Sequence, residues 1–201
     1  LDPNGVTTTR AYDAAGRLTY VDYSDATPDV AFEYDRNSNR TSMTDGFGTE
    51  TYSYDSLDRL TEVARGSDAF SYGYDPAGNV TQRTYPDGKS TNYAYNANGQ
   101  MRTASTGTLE TVYRYNAAGM LARTELPNGV SEDFSFDAAS RMTGASAEGP
   151  SGPIADFSYT FDPVGNPLSQ MASFSGGPAA TTAFGYDDLN RLTDVCEAAC
   201  P

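Results

Sequence analysis

Tyr54-Asp55-Ser56-Leu57-Asp58-Arg59-Leu60-Thr61 decides the fold, because the chain keeps returning to it. Tyr12-Asp13-Ala14-Ala15-Gly16-Arg17-Leu18-Thr19 and Tyr186-Asp187-Asp188-Leu189-Asn190-Arg191-Leu192-Thr193 are near copies. An aromatic residue followed by Asp or Asn opens each copy, at Tyr12, Tyr34, Tyr54, Tyr74, Tyr95, Tyr115, Phe136, Phe161 and Tyr186. The intervals run about 20–25 residues. A period of that size marks a repeat architecture, in which each unit hides its apolar side only by stacking on its neighbours.

Two residues ahead of each opening aromatic stands another: Phe32, Tyr52, Tyr72, Tyr93, Tyr113, Phe134, Tyr159 and Phe184. The first copy departs from this, with Arg10 in the place. A spacing of two puts both rings on one face of a β-strand. The residue between them is small or polar, as in Glu33, Ser53, Gly73 and Thr160. Such alternation, renewed in every copy, predicts a strand each time.

Each strand gives way to turn chemistry. The leading Asp or Asn can accept bonds from the backbone two residues on, and Pro at Asp75-Pro76 and Asp162-Pro163 suits a type I turn. The fourth position is Gly16, Gly78, Gly99, Gly119 or Gly165, and elsewhere Asp58, Asn190, Ser38 or Ser140. Gly, Asn and Asp tolerate the positive φ of a type I turn with a G1 bulge, so the Ser-bearing hairpins should be the weaker ones. Leu18, Leu60, Val80, Met101, Leu121, Met142 or Leu192 then begins the return strand. Arg17, Arg59, Arg141 and Arg191 lie four residues after the turn Asp and can pair with it, fixing register. Between hairpins, Pro3-Asn4-Gly5, Pro86-Asp87-Gly88 and Pro127-Asn128-Gly129 supply a second set of turns. The stretches around 145–155 and 172–182, rich in Gly and Pro, read as extended loops.

Each repeat thus gives two strands and two turns. The expected fold is all-β: an antiparallel meander of repeated β-hairpins, curled because strands twist, filling residues 1–195 and followed by a Cys-containing tail at 196–201. The open end strands offer places for pairing with another copy. The repeat rings are expected to form the core of this curled sheet.

Acidic residues outnumber basic ones by 27 to 13, a formal charge of −14. That balance disfavours nucleic acid and anionic membrane surfaces as partners. No apolar run approaches a membrane span, so membrane insertion is not expected. Opening on Leu1, not Met, the chain reads as an excised piece of something larger. Cys196 and Cys200 are the two cysteines. Without His they cannot complete a tetrahedral zinc site. A small-loop disulfide, pairing with sequence outside the chain, or two inert thiols remain as readings, and the first two imply an oxidising compartment.

The absence of His removes the commonest general base, and with it Ser-His and Cys-His nucleophile systems. Adjacent carboxylates such as Asp187 and Asp188 point to opposite faces of a strand. The glycines punctuate turns and form no phosphate loop. No catalytic, metal or cofactor site is expected, and the chain is read as a non-enzyme.

The pattern Tyr-Asp-x-x-Gly-Arg-Leu-Thr at Tyr12 to Thr19, with its variants, resembles the YD repeats of Rhs proteins, of toxin-complex C-type proteins and of teneurins, over about residues 10–195. The resemblance implies a β-strip that spirals into a hollow shell, enclosing a toxic domain in bacterial members and supporting adhesion in animal ones. It implies a secreted or cell-surface protein, with the rest of a larger Rhs-like chain or its toxin cargo as partner. Asp75-Pro76 and Asp162-Pro163 resemble the self-cleavage pair that ends the Rhs core, yet both fit ordinary repeat turns. Two other roles come from the surface: a glycan- or protein-binding adhesion module using tyrosines outside the repeat positions (Tyr20, Tyr23, Tyr85), and a self-assembling β-filament subunit.

Overall fold

The computed structural model describes residues 5–197. Those residues form eighteen β-strands and no helix. The chain divides into two compact units, Leu1–Tyr93 and Ala94–Pro201. The first holds β1 (Thr8–Tyr12), β2 (Leu18–Tyr23), β3 (Val30–Tyr34), β4 (Arg40–Asp45), β5 (Gly48–Tyr54), β6 (Leu60–Arg65), β7 (Asp68–Tyr74) and β8 (Val80–Thr84). The boundary falls within β9 (Ser90–Tyr95). The second holds β10 (Met101–Thr106), β11 (Leu109–Tyr115), β12 (Leu121–Glu125), β13 (Ser131–Phe136), β14 (Met142–Gly149), β15 (Gly152–Phe161), β16 (Pro167–Phe174), β17 (Ala180–Tyr186) and β18 (Leu192–Glu197).

Within each unit every strand pairs antiparallel with the next in sequence, as the repeat pattern requires. The expected bulge is present. Register slips by one at Ala11/Tyr12, Glu33/Tyr34, Ser53/Tyr54, Gly73/Tyr74, Arg114/Tyr115, Ser135/Phe136, Thr160/Phe161 and Gly185/Tyr186, each at an opening aromatic, and once more at Ala147/Glu148 beside the β14–β15 turn. The fourth turn position has positive φ in glycine, and also at Ser38 (73°), Asp58 (59°), Ser140 (63°) and Asn190 (58°). The two serines therefore hold a left-handed conformation that costs an L-residue about 1–2 kcal/mol.

Three details differ from the sequence reading. The segment around Glu148–Pro153 is a tight hairpin, not an extended loop: β14 runs to Gly149 and β15 starts at Gly152, with Gly149 opposite Gly152. β18 continues through Cys196 to Glu197, inside the expected tail. Nor do the repeat rings make a sealed core. Among the described residues Val21 (7% exposed) and Thr124 (5%) alone are buried. The physical reason is that the rings pack side by side along each unit's sheet, and rings such as Tyr34, Tyr74 and Phe161 are covered by a single guanidinium and not by a second layer of strands.

Candidate functional site

The turn rim carries the most densely bonded chemistry of the molecule. In the first hairpin the Asp13 N–H donates to the Arg17 carbonyl (2.9 Å) and the Gly16 N–H to the Asp13 carbonyl (3.0 Å). Asp13 Oδ1 accepts the N–H groups of Ala15 and Arg17, each at 2.9 Å. Asp55, Asp137 and Asp187 hold the same pair of amides two and four residues on. Asn96 and Asn116 do so without charge. Asp75 and Asp162, the residues of the Asp-Pro pairs, sit in this same geometry. A carboxylate that collects N–H donors is favoured in its charged form. For Asp13, Asp55, Asp137 and Asp187 the backbone N–H of the Arg four residues on is the largest influence, and all four carboxyls lie below the ordinary value.

The arginines do more than the sequence predicted. Arg17 Nε pairs with Asp13 Oδ2 at 2.7 Å, as expected, but its Nη1 donates to the Asp35 carbonyl of the next hairpin at 2.8 Å. Its guanidinium lies 4.8 Å from the centre of the Tyr34 ring. Arg59 repeats this with the Asp75 carbonyl (2.9 Å) and the Tyr74 ring (4.6 Å). Arg141 repeats it with the Asp162 carbonyl (2.8 Å) and the Phe161 ring (4.8 Å). One side chain thus locks its own turn, bonds the next turn and covers the next repeat's ring. At three of the positions without Arg an amide makes the link: Asn39 Nδ2 to Asp58 (2.7 Å), Gln100 Nε2 to the Gly119 carbonyl (2.7 Å), Asn166 Nδ2 to Asn190 (2.9 Å).

A second stitch runs backwards. The hydroxyls of Tyr34, Tyr54, Tyr74 and Tyr115 donate to the carbonyls of Leu18, Arg40, Leu60 and Met101, at 2.8, 2.9, 2.6 and 2.9 Å. Each acceptor opens the return strand of the preceding hairpin. Burial comes first among the causes that raise the Tyr74 phenol above its ordinary value. The signal for this role was visible: tyrosine dominates a position where phenylalanine would bury as much ring.

Of the repeat aromatics, Tyr34, Tyr54, Tyr74, Tyr95, Tyr115, Phe136, Phe161 and Tyr186 are half-buried, whereas Tyr12 is 58% exposed. Cys196 is half-buried on β18, and Cys200 lies outside the described residues.

The two faces differ in kind. In the first unit the registers Tyr52–Val63–Phe70 and Phe32–Met43–Glu50 carry large side chains. Phe70, Tyr85 and Arg83 gather there, with the guanidinium 5.1 and 4.8 Å from the two rings. The opposite face holds Ser53–Glu62–Ser71–Thr84–Ser90. Hydroxyls bridge its strands, as in Thr44–Thr49 (2.9 Å) and Thr84–Ser90 (2.9 Å). In the second unit Phe134–Ala145–Phe157–Ala172 lies on one face, and Arg123–Asp133–Ser146–Asp156 on the other. A groove of about 340 Å³ passes over Gly144 and Ser146 between Asp133 and Asp156. Asp133 is tied to Arg123 at 2.6 Å. Among the tyrosines considered for glycans, Tyr20 is 40% exposed with its hydroxyl on Asp29 at 2.5 Å, and Tyr85 packs on Phe70. Among the described residues no cluster of three His, Cys, Asp or Glu could hold a metal ion, and no helix is long and apolar enough to cross a membrane.

Comparison with solved structures finds this sheet elsewhere. The crystal structure of TcdB2-TccC3 superposes with a TM-score of 0.74 at 20% identity, covering 95% of this chain. The Tc holotoxin pore of Photorhabdus luminescens, with a mutated TccC3, gives 0.71 at 21% identity over 94%. The chain spans 12% of the length of either, so the likeness is one of fold. No curated protein matches the sequence. The sequence does match the teneurin YD-shell family over residues 4–134, which is well over half of it. With the bulged Tyr-Asp hairpins, the ladder of sequential strands and that match in hand, the chain belongs to the teneurin YD-shell family.

Proposed function

We propose that this chain is a non-catalytic segment of the wall of a YD shell, belonging to a secreted or surface-exposed protein whose shell encloses a toxin or effector. The observation that carries the reading is the double stitch between hairpins, Arg forward to the next turn and Tyr back to the preceding strand. Within each unit it makes a continuous, laterally bonded sheet without a sealed core, which is what a wall requires and a catalyst does not. Solved chains that share this fold include TcdB2-TccC3 and the Tc holotoxin pore. The rest of the longer polypeptide and its cargo are the partners this reading names. Cys196 and Cys200 are proposed to close a small disulfide loop at the end of β18, in keeping with an oxidising compartment. Peptide mass mapping without reduction tests that pairing.

Protection tests the wall itself. In the natural polypeptide that carries this segment, a downstream cargo domain should resist protease. Replacing Arg59 and Arg141 together by Ala should expose it. Cargo that stays equally resistant after the segment is cut away would refute the role.

A further inference from the structure

One cation inside the first unit lacks the partner that its counterparts have. Arg17, Arg40, Arg59, Arg65, Arg123 and Arg141 are half-buried, and each donates to a carboxylate or, for Arg40, to the Tyr52 hydroxyl. Arg83, on β8, is half-buried as well. Its Nε is sealed from solvent and finds no acceptor. Among the described residues the ion pairs of arginine all belong to other arginines. This holds in a chain where acidic residues outnumber basic ones by 27 to 13. Two rings account for the position of Arg83. It lies opposite Tyr72 on one side and Thr91 on the other. Phe70 and Tyr85 meet edge to face beside it, with ring centres 5.9 Å apart and planes at 72°. The guanidinium is 5.1 Å from the first ring centre and 4.8 Å from the second. The ring faces attract the charge, but they offer no acceptor to its N–H groups. A dry donor left in this way is costly, and in a folded protein it calls for an explanation.

We propose that Arg83, held against Phe70 and Tyr85, is a binding site for one carboxylate group. Guanidinium is a planar fork whose paired N–H groups match the two oxygens of a carboxylate. Nε alone of its nitrogens is sealed without an acceptor. The two Nη atoms, which no group of the protein engages, therefore form the open end of the fork. The rings hold the fork in place before a ligand arrives, so little ordering is left for binding to impose. The net charge of −14 repels a dianion about twice as strongly as a monoanion, which favours a carboxylate over phosphate or sulfate. Phe70 and Tyr85 add apolar surface beside the fork, so an acid with an aromatic body should bind more tightly than acetate. Either an acidic side chain of a polypeptide or a free organic acid can bring this group, and the test separates the two. The site rests on the contacts of Arg83 and not on the encapsulation reading: cargo protection and carboxylate binding are measured separately and can fail separately.

The experiment is a nuclear magnetic resonance titration of the 201-residue chain at fixed ionic strength. It follows the Arg83 Nε–H signal and the backbone amides of Thr84 and Tyr85. The probes are acetate, benzoate, a capped Glu-Phe dipeptide, sulfate and chloride. Acetate, benzoate and the dipeptide should shift these signals saturably, benzoate at lower concentration than acetate, while chloride leaves them in place and sulfate acts more weakly than benzoate. Arg83→Lys keeps the charge and loses the fork, so benzoate should bind it about tenfold more weakly, read from the two amides. Far-ultraviolet circular dichroism confirms that the variant keeps its strands, and the wild-type titration decides by itself if it does not. A dipeptide that binds more tightly than benzoate supports the site with an acidic side chain as its ligand, and the reverse order supports it with a free acid. Carboxylates that give no saturable shift, chloride or sulfate that matches benzoate, or a folded Arg83→Lys that binds benzoate as well as wild type would each overturn the proposal.

Discussion

Replacing Tyr74 by Phe removes one oxygen and leaves the ring, so it isolates the backward stitch. The hydroxyl lies 2.6 Å from the Leu60 carbonyl in a half-buried position, and the Arg59 guanidinium 4.6 Å from the ring centre stays where it is. A neutral hydrogen bond of this kind contributes about 0.5–1.5 kcal/mol net. At 1 kcal/mol, local opening becomes about fivefold more frequent. Because a repeat sheet is coupled mainly to its nearest neighbours, the loss should fall on β6 and β7. Native-state hydrogen exchange is the assay: amides of those two strands should exchange about fivefold faster, and amides of β14 and β15 should not change. A pH arm sharpens the test. The folded Tyr74 phenol titrates above its unfolded value of 10.0, chiefly through burial. Its share of stability is therefore complete below pH 10 and is lost as pH rises through the folded value. The gap between wild type and variant should close in that alkaline range. The reverse substitution, Phe136→Tyr, offers the missing hydroxyl to the Leu121 carbonyl and should slow exchange in β12 and β13 by a similar factor. If Tyr74→Phe leaves exchange unchanged while Phe136→Tyr speeds it, the hydroxyl is not what joins the hairpins.

Ser140→Gly relieves a φ of 63°, gaining about 1–2 kcal/mol less the roughly 0.5–1 kcal/mol that a flexible Gly costs, so a urea midpoint equal to or above wild type is expected. Val21→Ala removes two carbons' worth of burial at the most enclosed apolar position and should cost about 1.5 kcal/mol in chemical denaturation. The turn carboxylates titrate below their ordinary value, so their contribution is present above about pH 4 and disappears as pH falls through the folded values. Exchange measured at low pH should therefore show Leu57 and Ala139 losing protection while Ala118, held by Asn116, keeps it.

Much of this architecture could be read from the chain because its instructions are local. The two-residue spacing of Tyr52 and Tyr54 fixes a strand face, and Asp55 to Asp58 fixes the turn, its positive φ and the bulge. These are contacts within a few residues. The forward bond from Arg59 to the Asp75 carbonyl and the backward bond from Tyr74 to Leu60 span 16 and 14 residues. Their geometry depends on how far one hairpin is offset from the next, which no single repeat encodes. The Glu148–Pro153 segment misled for the opposite reason: Gly and Pro signal a turn but not how far the flanking strands extend, and pairing with β13 and β16 carried them inward.

The exchange of Arg for Asn or Gln in the forward link shows what joins one hairpin to the next. Arg17, Asn39, Arg59, Gln100, Arg141 and Asn166 differ in charge and length, yet all deliver an N–H to an oxygen of the following turn. Where the link is made, what the residues share is a donor and not a cation; Met120, at the same place, supplies none from its side chain. Arg59→Gln should therefore be milder than Arg59→Leu, since glutamine keeps the donor to the Asp75 carbonyl while both lose the ion pair and the stacking on Tyr74. Exchange at β7 measures the difference: equal acceleration in the two variants would mean that charge and stacking hold the turns together, and the Gln100 link to Gly119 would then need another explanation.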